Sequence, residues 1–262
     1  MQIILNGKPI EINDCLKACD LGDYDIFVRN GYGIDSKSQL CDGDSIVAVK
    51  KGQMPNEDNL KQMLFARNGQ VFSKKLDKAC VCICGLGGLG SNIAAMLARA
   101  GVGKLILVDY DIVDPTNLNR QNYFVQDIGF KKTFATQRLL KQINPFIKTV
   151  TYDMYLNSEN CVEIANNADV VVEAFDNPAC KAELVNTILA STNKIVVAAS
   201  GMAGIGSGNI IKTSKVLNRL YLCGDSETET KEGVSLVSPR VNICAGHQAN
   251  TVIRLLLGET EC

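Results

Sequence analysis

Residues 79–111 read ACVCICGLGGLGSNIAAMLARAGVGKLILVDYD, and the rest of the chain is organised around this stretch. The apolar run at 80–84 stops at Gly85, Gly87, Gly88 and Gly90, after which Ser91 opens the helix-forming segment that contains AAMLARA. That order predicts strand, tight turn and helix. A second apolar run, 104–108, ends at Asp109, about 20 residues beyond the glycines, which is the spacing of a nucleotide fingerprint. Glycines permit a sharp turn and a close backbone approach. Free N–H groups at the helix start point at an anion, and the helix dipole adds about half a positive charge there. The reading therefore places phosphates over Gly85, Gly87, Gly88 and Gly90 and ribose hydroxyls at Asp109. A glycine turn without a ligand has similar local sequence, but the two flanking runs and the spaced carboxylate favour a nucleotide. At this point a dinucleotide and ATP both fit.

The 262 residues suffice for one large domain, or for a standard domain with a small one. A net charge of −1, with lysine pairs only at Lys50-Lys51, Lys74-Lys75 and Lys131-Lys132, argues against nucleic acid as a partner. No apolar stretch approaches the roughly 20 residues needed to span a membrane, and MQIILNGKPI lacks signal-peptide form. The expected location is the cytoplasm. The eleven cysteines sit in apolar segments rather than at loop spacings, so they are expected to be reduced, buried thiols with few or no disulfides.

Residues 1–49 follow another pattern. MQIILNG and KPIEI form a hairpin about Asn6-Gly7, a short helical turn is expected within 15–21, DIFVRNG ends in a second Asn-Gly turn, and DGDSIVAVKKG supplies a last strand. This is the element order of a ubiquitin-like β-grasp. MQIILNG, FVRNG and LCDGDSIVAV resemble the ThiS-like sulfur carriers across residues 1–52. Those carriers end in a free Gly-Gly whose carboxylate reacts, whereas this chain runs on through KKGQMPNEDN. The segment is thus expected to be a structural or docking appendage and not the activated substrate. Residues 53–66 read as a linker with a short amphipathic helix, and 67–262 as the main domain.

Beyond Asp109, the polar run DYDIVDPTNLNRQNYF comes where a hydride-transfer domain would turn straight into its next helix. Arg120 offers a planar fork for phosphate, Asn117 and Gln121 offer neutral hydrogen bonds, and Lys132 heads a helix at 133–143. Two cations and two sets of backbone donors suggest a triphosphate. TVTYDMYL reads as a strand and 158–167 as helical. ADVVVEAFDN then supplies a buried parallel strand that delivers Asp176 and Asn177 to the ligand end of the sheet. A carboxylate there suits Mg²⁺ or a helix N-cap.

GLGGLGSN, LVDYDIVDPTNLNRQ, the lysine before a helix ending in INP, and VVVEAFDN together resemble the ThiF/MoeB/HesA adenylyltransferases, relatives of ubiquitin-activating enzymes. The resemblance implies an α/β fold, a Rossmann-like doubly wound sheet preceded here by the small β-grasp domain. It implies that ATP and Mg²⁺ adenylylate the terminal glycine of a ThiS-like carrier with a Gly-Gly end, with sulfur delivery to thiamine the favoured pathway. It assigns phosphates to Gly85, Gly87, Gly88, Gly90, Asn117, Arg120, Gln121 and Lys132, ribose to Asp109 and the metal to Asp176. It also makes Arg67 the residue that reaches the nucleotide of the other subunit in a homodimer. A carboxylate nucleophile is ionised near neutral pH, so no general base is required. His247, the sole histidine, reads as structural. Without any Cys-x-x-Cys, no structural zinc is expected. Some relatives link a cysteine covalently to the carrier; that position aligns near Ile188, Cys180 is the nearest thiol, at a helix start that favours thiolate, and Cys223 is a second candidate in a polar loop expected to cover the carrier's tail. Residues 240–257 read as a final helix ended at Gly258. The competing readings are MoeB-like activation for molybdopterin, a non-catalytic or autoinhibited docking protein of the same fold, and an NAD-dependent oxidoreductase.

Overall fold

Two Asn-Gly turns shape the start of the chain. Asn6, Gly7, Asn30 and Gly31 all take positive φ, the conformation that joins strands by two residues without splaying them. The first turn pairs β1 (Gln2–Leu5) with β2 (Lys8–Glu11), the second β3 (Ile26–Arg29) with β4 (Tyr32–Ile34), and β5 (Ser45–Val49) lies between β1 and β3. β5 runs parallel to β1 and antiparallel to β3. A single 3₁₀ turn, Ala18–Leu21, is what forms of the expected helix. One face of this sheet carries a core of Ile3, Ala18, Phe27, Leu40, Ile46 and Ala48. The other face carries Val28 and Val47, which are covered by Met63 and Ala66. Helix α1 (Glu57–Leu64), capped by the Asn56 side chain on the Asn59 amide, brings that cover, and Asn59 Nδ2 donates to Asn6 Oδ1 at 3.2 Å. Much of the stretch expected as linker is therefore folded against β5.

The computed structural model describes residues 1–66, 68, 70–229 and 231–262, so Arg67 lies outside the described residues. It divides into two units, Met1–Lys74 and Lys75–Cys262, with the division inside helix α2 (Gln70–Lys78). The second unit begins with β6 (Cys80–Cys84), α3 (Gly88–Ala100), β7 (Lys104–Asp109), α4 (Lys132–Ile143) and β8 (Lys148–Asp153). It continues with α5 (Cys161–Ala165), β9 (Val170–Glu173), α6 (Pro178–Ser191), β10 (Ile195–Ala199), β11 (Lys212–Leu217), β12 (Leu220–Gly224) and α7 (Ser238–Leu257). Its seven strands stand in the order β11-β12-β10-β9-β6-β7-β8, all parallel except β11. This is the doubly wound sheet the glycine pattern predicts. β6 is an interior strand buried on both faces, as a strand covered by helices must be. Cys80, Cys82 and Cys84 share one face with Ile106, Val171, Ile164, Leu184 and Ile188, while α3 and α7 pack together elsewhere in the unit. From β6 the chain winds outward to β7 and β8 on one side and to β9, β10 and β12 on the other. The loops after β6 and β9 flank that reversal, the crevice where such sheets bind ligands.

Two readings of the cysteines need correcting. All eleven are free, but Cys15, Cys19, Cys41 and Cys262 are exposed and Cys180 is partly so, because the first three lie in turns of the small unit rather than in its core. Cys223 belongs to β12 and is fully buried, and burial pushes its thiol pKa upward; the polar loop starts only at Asp225. Among the described residues no helix is long and apolar enough to cross a membrane.

Candidate nucleotide-binding site

The glycine loop is shaped by what touches it. Gly85 has φ +93°, and a Cβ there would lie 2.8 Å from the Ala174 carbonyl oxygen; at Gly90 a Cβ would overlap the Gly85 carbonyl itself. Both positions exclude any side chain. Gly87 is different: a Cβ would meet only the Gln121 amide, 3.9 Å away, so this edge of the loop faces open space. Leu86 is held at both of its backbone groups. Its N–H donates to Asp109 Oδ2 at 2.6 Å, and its carbonyl accepts from the Tyr123 hydroxyl at 2.7 Å.

Asp109 ends β7 and is 8 % exposed. Burial raises its pKa, while Lys132 and the Asp111 and Leu86 amides act against that rise. Both oxygens already accept an amide, Oδ1 from Asp111 at 2.8 Å. The carboxylate expected for ribose thus also fixes the loop. Lys132 opens α4, is buried, and donates to Asp111 Oδ2 at 2.8 Å. Its charge is held beside the strand end and not extended into solvent.

The NLNRQ segment is tied to the loop helix by Asn92, which the sequence reading missed. Asn92 Nδ2 donates to the Gly88 carbonyl at 2.7 Å and to the Arg120 carbonyl at 3.0 Å, and Ser91 Oγ accepts from the Asn122 amide at 3.0 Å. Arg120 lies alongside Gly88, its Cγ 3.6 Å from where a Cβ would stand. One end of its fork is engaged, Nη1 donating to Thr116 O at 3.0 Å and Asn119 Oδ1 at 2.8 Å. Asn117 Oδ1 accepts from the Asp114 amide, which caps the 3₁₀ turn Pro115–Asn117, so that side-chain oxygen serves its own loop. Gln121 stands out. It is buried, adjoins the open side of Gly87, and its Oε1 has no hydrogen-bond partner. A buried amide oxygen left unpaired costs about 1–3 kcal/mol, which a ligand donor would remove.

On the far side of the crevice, Asn177 caps α6 by accepting from the Ala179 and Cys180 amides at 2.9 and 3.1 Å. The cap is therefore Asn177, which leaves Asp176 exposed and without a hydrogen bond or ion pair among the described residues. Asp111, burial, Asp109, Asp176 and Cys180 all raise the Tyr110 pKa, so the Asp111, Asp109 and Asp176 charges converge on one region. Among the described residues no group of three or more His, Cys, Asp or Glu could hold a metal ion. Mg²⁺ needs no such cage, since it is usually bound by one or two carboxylates plus substrate phosphates. Asp176 fits that donor set.

Cys180 is partly exposed, and its Sγ lies 2.9 Å from the Tyr155 hydroxyl. His247 Nδ1 meets Thr213 Oγ1 at 3.0 Å, on the flank of β11. The loop after β12 is fastened at both ends. Asp225 accepts from Arg240, whose other donors reach the carbonyls of Ala203, Gly206 and Ser207, while the Asn119 side chain donates to the Leu236 carbonyl at 3.3 Å.

Comparison with known proteins places this geometry in context. Residues 1–52 match the model described as ThiS-like ubiquitin, and residues 60–262 match that of the ThiF family. The chain is 29 % identical over 206 residues to the adenylyltransferase and sulfurtransferase UBA4 of Scheffersomyces stipitis, covering 76 % of this chain and 46 % of that protein. It is 37 % identical over 118 residues to the sulfur carrier protein adenylyltransferase of Thermus thermophilus, covering 45 % of this chain and 44 % of that one. It thus spans about half the length of the curated relatives it matches. The structure of the E. coli tRNA N6-threonylcarbamoyladenosine dehydratase TcdA in complex with ATP superposes with a TM-score of 0.67 at 20 % identity, over 73 % of this chain and 90 % of that one, a likeness of fold. With a family model matched over more than half its length, on the same residues that build the glycine crevice, the chain belongs to the ThiF family.

Proposed function

We propose that the protein is an adenylyltransferase that uses ATP to activate the C-terminal glycine carboxylate of a ubiquitin-like sulfur carrier. The observation that carries this reading is the open edge of Gly87 at the start of α3, bordered by the Gln121 Nε2 amide and by Arg120 at the switch point of the sheet; the Gln121 Oε1 that lacks a partner would accept from a nucleotide hydroxyl or amine. In the reaction, a carboxylate oxygen of the carrier bonds to the α-phosphorus as the bond from that phosphorus to the bridging oxygen breaks. Acyl-adenylate forms and pyrophosphate leaves with the electron pair. Two anions must approach, so the site's work is to neutralise charge and hold the reactants in line. The helix start at Gly88 and the Arg120 fork would take phosphate oxygens; Lys132 would serve by releasing Asp111, and Asp109 holds the loop while offering remaining lone pairs to ribose. Mg²⁺ held at Asp176 would supply further neutralisation of the phosphates.

The ThiS-like unit favours a ThiS-type carrier, and with it sulfur delivery to a thiamine precursor; molybdopterin is the alternative product. The unit itself is not the substrate, since its last strand continues into α1 and has no free end in the position of a carrier tail. A homodimer is supported by a run of exposed apolar side chains at Phe124, Val125, Ile128, Phe130 and Phe134; the role of Arg67 toward the second nucleotide rests on the family resemblance alone. ATP–pyrophosphate exchange with glycine-terminated carriers tests the activity: exchange that requires the carrier is expected, and none with any such carrier refutes it.

A further inference from the structure

Glu173 ends β9 with a fully buried side chain, and the reading above gives it no task. Its Oε1 accepts from the Phe175 amide at 2.7 Å, and its Oε2 accepts from Lys181 Nζ at 2.5 Å. Its carbonyl accepts from Gln248 Nε2 at 3.0 Å. Lys181 stands in the first turn of α6, where its amide donates to the Asn177 carbonyl at 3.0 Å. The Lys181 side chain is 24 % exposed against 0 % for Glu173, so the pair runs from the core toward the surface. Residues 174–176 are thereby strung between an anchored carboxylate and a capped helix. Their neighbour is the glycine loop: Ala174 N donates to the Cys84 carbonyl at 2.9 Å, and Ala174 O and the Phe175 ring close the space above Gly85.

A buried ion pair is a poor way to gain stability, because well-packed apolar residues of similar volume serve as well or better. What it supplies here is geometry. Asp176 has no side-chain partner to aim it, so its direction is set by the backbone of this turn. We propose that Glu173 and Lys181 are positioning residues, which fix the 174–176 turn so that the Asp176 carboxylate meets the divalent cation on the nucleotide's phosphates. The proposal rests on the reading of Asp176 as the metal carboxylate. Residues that orient a metal ligand typically cost about 10–100-fold in metal affinity when changed.

The test is binding of a non-hydrolysable ATP analogue to the full-length chain by titration calorimetry, with and without Mg²⁺. Wild type should bind more tightly with Mg²⁺. Lys181→Met should remove about tenfold or more of that gain while leaving Mg²⁺-free affinity unchanged, and Lys181→Arg should restore most of it. A folded Lys181→Met that keeps the whole gain, or that loses affinity equally with and without Mg²⁺, overturns the proposal. Should Lys181→Met fail to melt cooperatively, the apolar pair Glu173→Leu with Lys181→Met replaces it, with the same two outcomes decisive. Asp176→Asn separates the layers: retention of the Mg²⁺ gain in that variant overturns the metal reading, while its loss beside a normal Lys181→Met overturns only the positioning role.

Discussion

The sharpest prediction contrasts two glycines three residues apart. In Gly90→Ala the new Cβ would overlap the Gly85 carbonyl oxygen and stand 2.9 Å from its carbon and 3.3 Å from Ala174 Cβ. Two of those three atoms are backbone, so no rotamer relieves the clash, and with the Cβ 1.8 Å from the Gly85 oxygen the loop must open by about 1.6 Å to restore ordinary contact. Overpacking of this kind costs about 3 kcal/mol, against which alanine gains at most about 1 kcal/mol of helix propensity inside α3. A net loss of about 2 kcal/mol should lower Tm by roughly 4–8 °C. The displaced loop should also weaken catalysis by about 100-fold. In Gly87→Ala the Cβ meets nothing closer than 3.9 Å, so Tm should hold, yet the methyl enters the space assigned to phosphate and ATP affinity should fall. Differential scanning fluorimetry and ATP titration on the two variants read both quantities. An unaltered ATP affinity in Gly87→Ala would refute the placement of the nucleotide; an unaltered Tm in Gly90→Ala would refute the packing argument.

Three further outcomes follow from the same geometry. Arg120→Ala and Asp176→Ala should each reduce pyrophosphate exchange by about 100-fold or more without moving Tm, since both side chains lie at the crevice rather than in the core. Asp225 is raised by burial but lowered further by the Thr228 and Glu227 amides, the Thr228 hydroxyl and Arg240, and comes to about 2. That folded value is below the unfolded one, so its contribution of about 2 kcal/mol is complete above about pH 4 and is lost as pH falls through about 2. Acid unfolding of Asp225→Asn should show a shallower dependence over that window, and an unchanged profile would contradict the assignment. Phe130→Asp with Phe134→Asp should lower the dimer fraction in sedimentation velocity while leaving the monomer folded, because both rings are about half exposed.

The glycine crevice was legible in sequence because its signals are local. A turn that needs Gly85, two apolar runs and a carboxylate at fixed spacing are properties of contiguous residues, and the Asn-Gly turns announce the first sheet in the same way. What escaped is what folding brings together from afar. Asn92 reads as an ordinary helical residue until its amide meets the Arg120 carbonyl, 28 positions on. Glu173 hides inside a run read as a buried strand, and its partner lies on the next helix. Arg120 reads by type as a free fork and Asn117 as a free amide, but their own loop already engages one Arg120 nitrogen and the Asn117 oxygen. Cys223 was placed in a loop because polar residues follow it, when its strand ends one residue later.

The two bonds at Leu86 carry a consequence for the order of events. A loop already clamped by Asp109 on one side and Tyr123 on the other has little conformational freedom left to lose. The nucleotide then meets a glycine loop that needs no ordering of its own, and its association should be fast and largely insensitive to whether the protein partner has arrived.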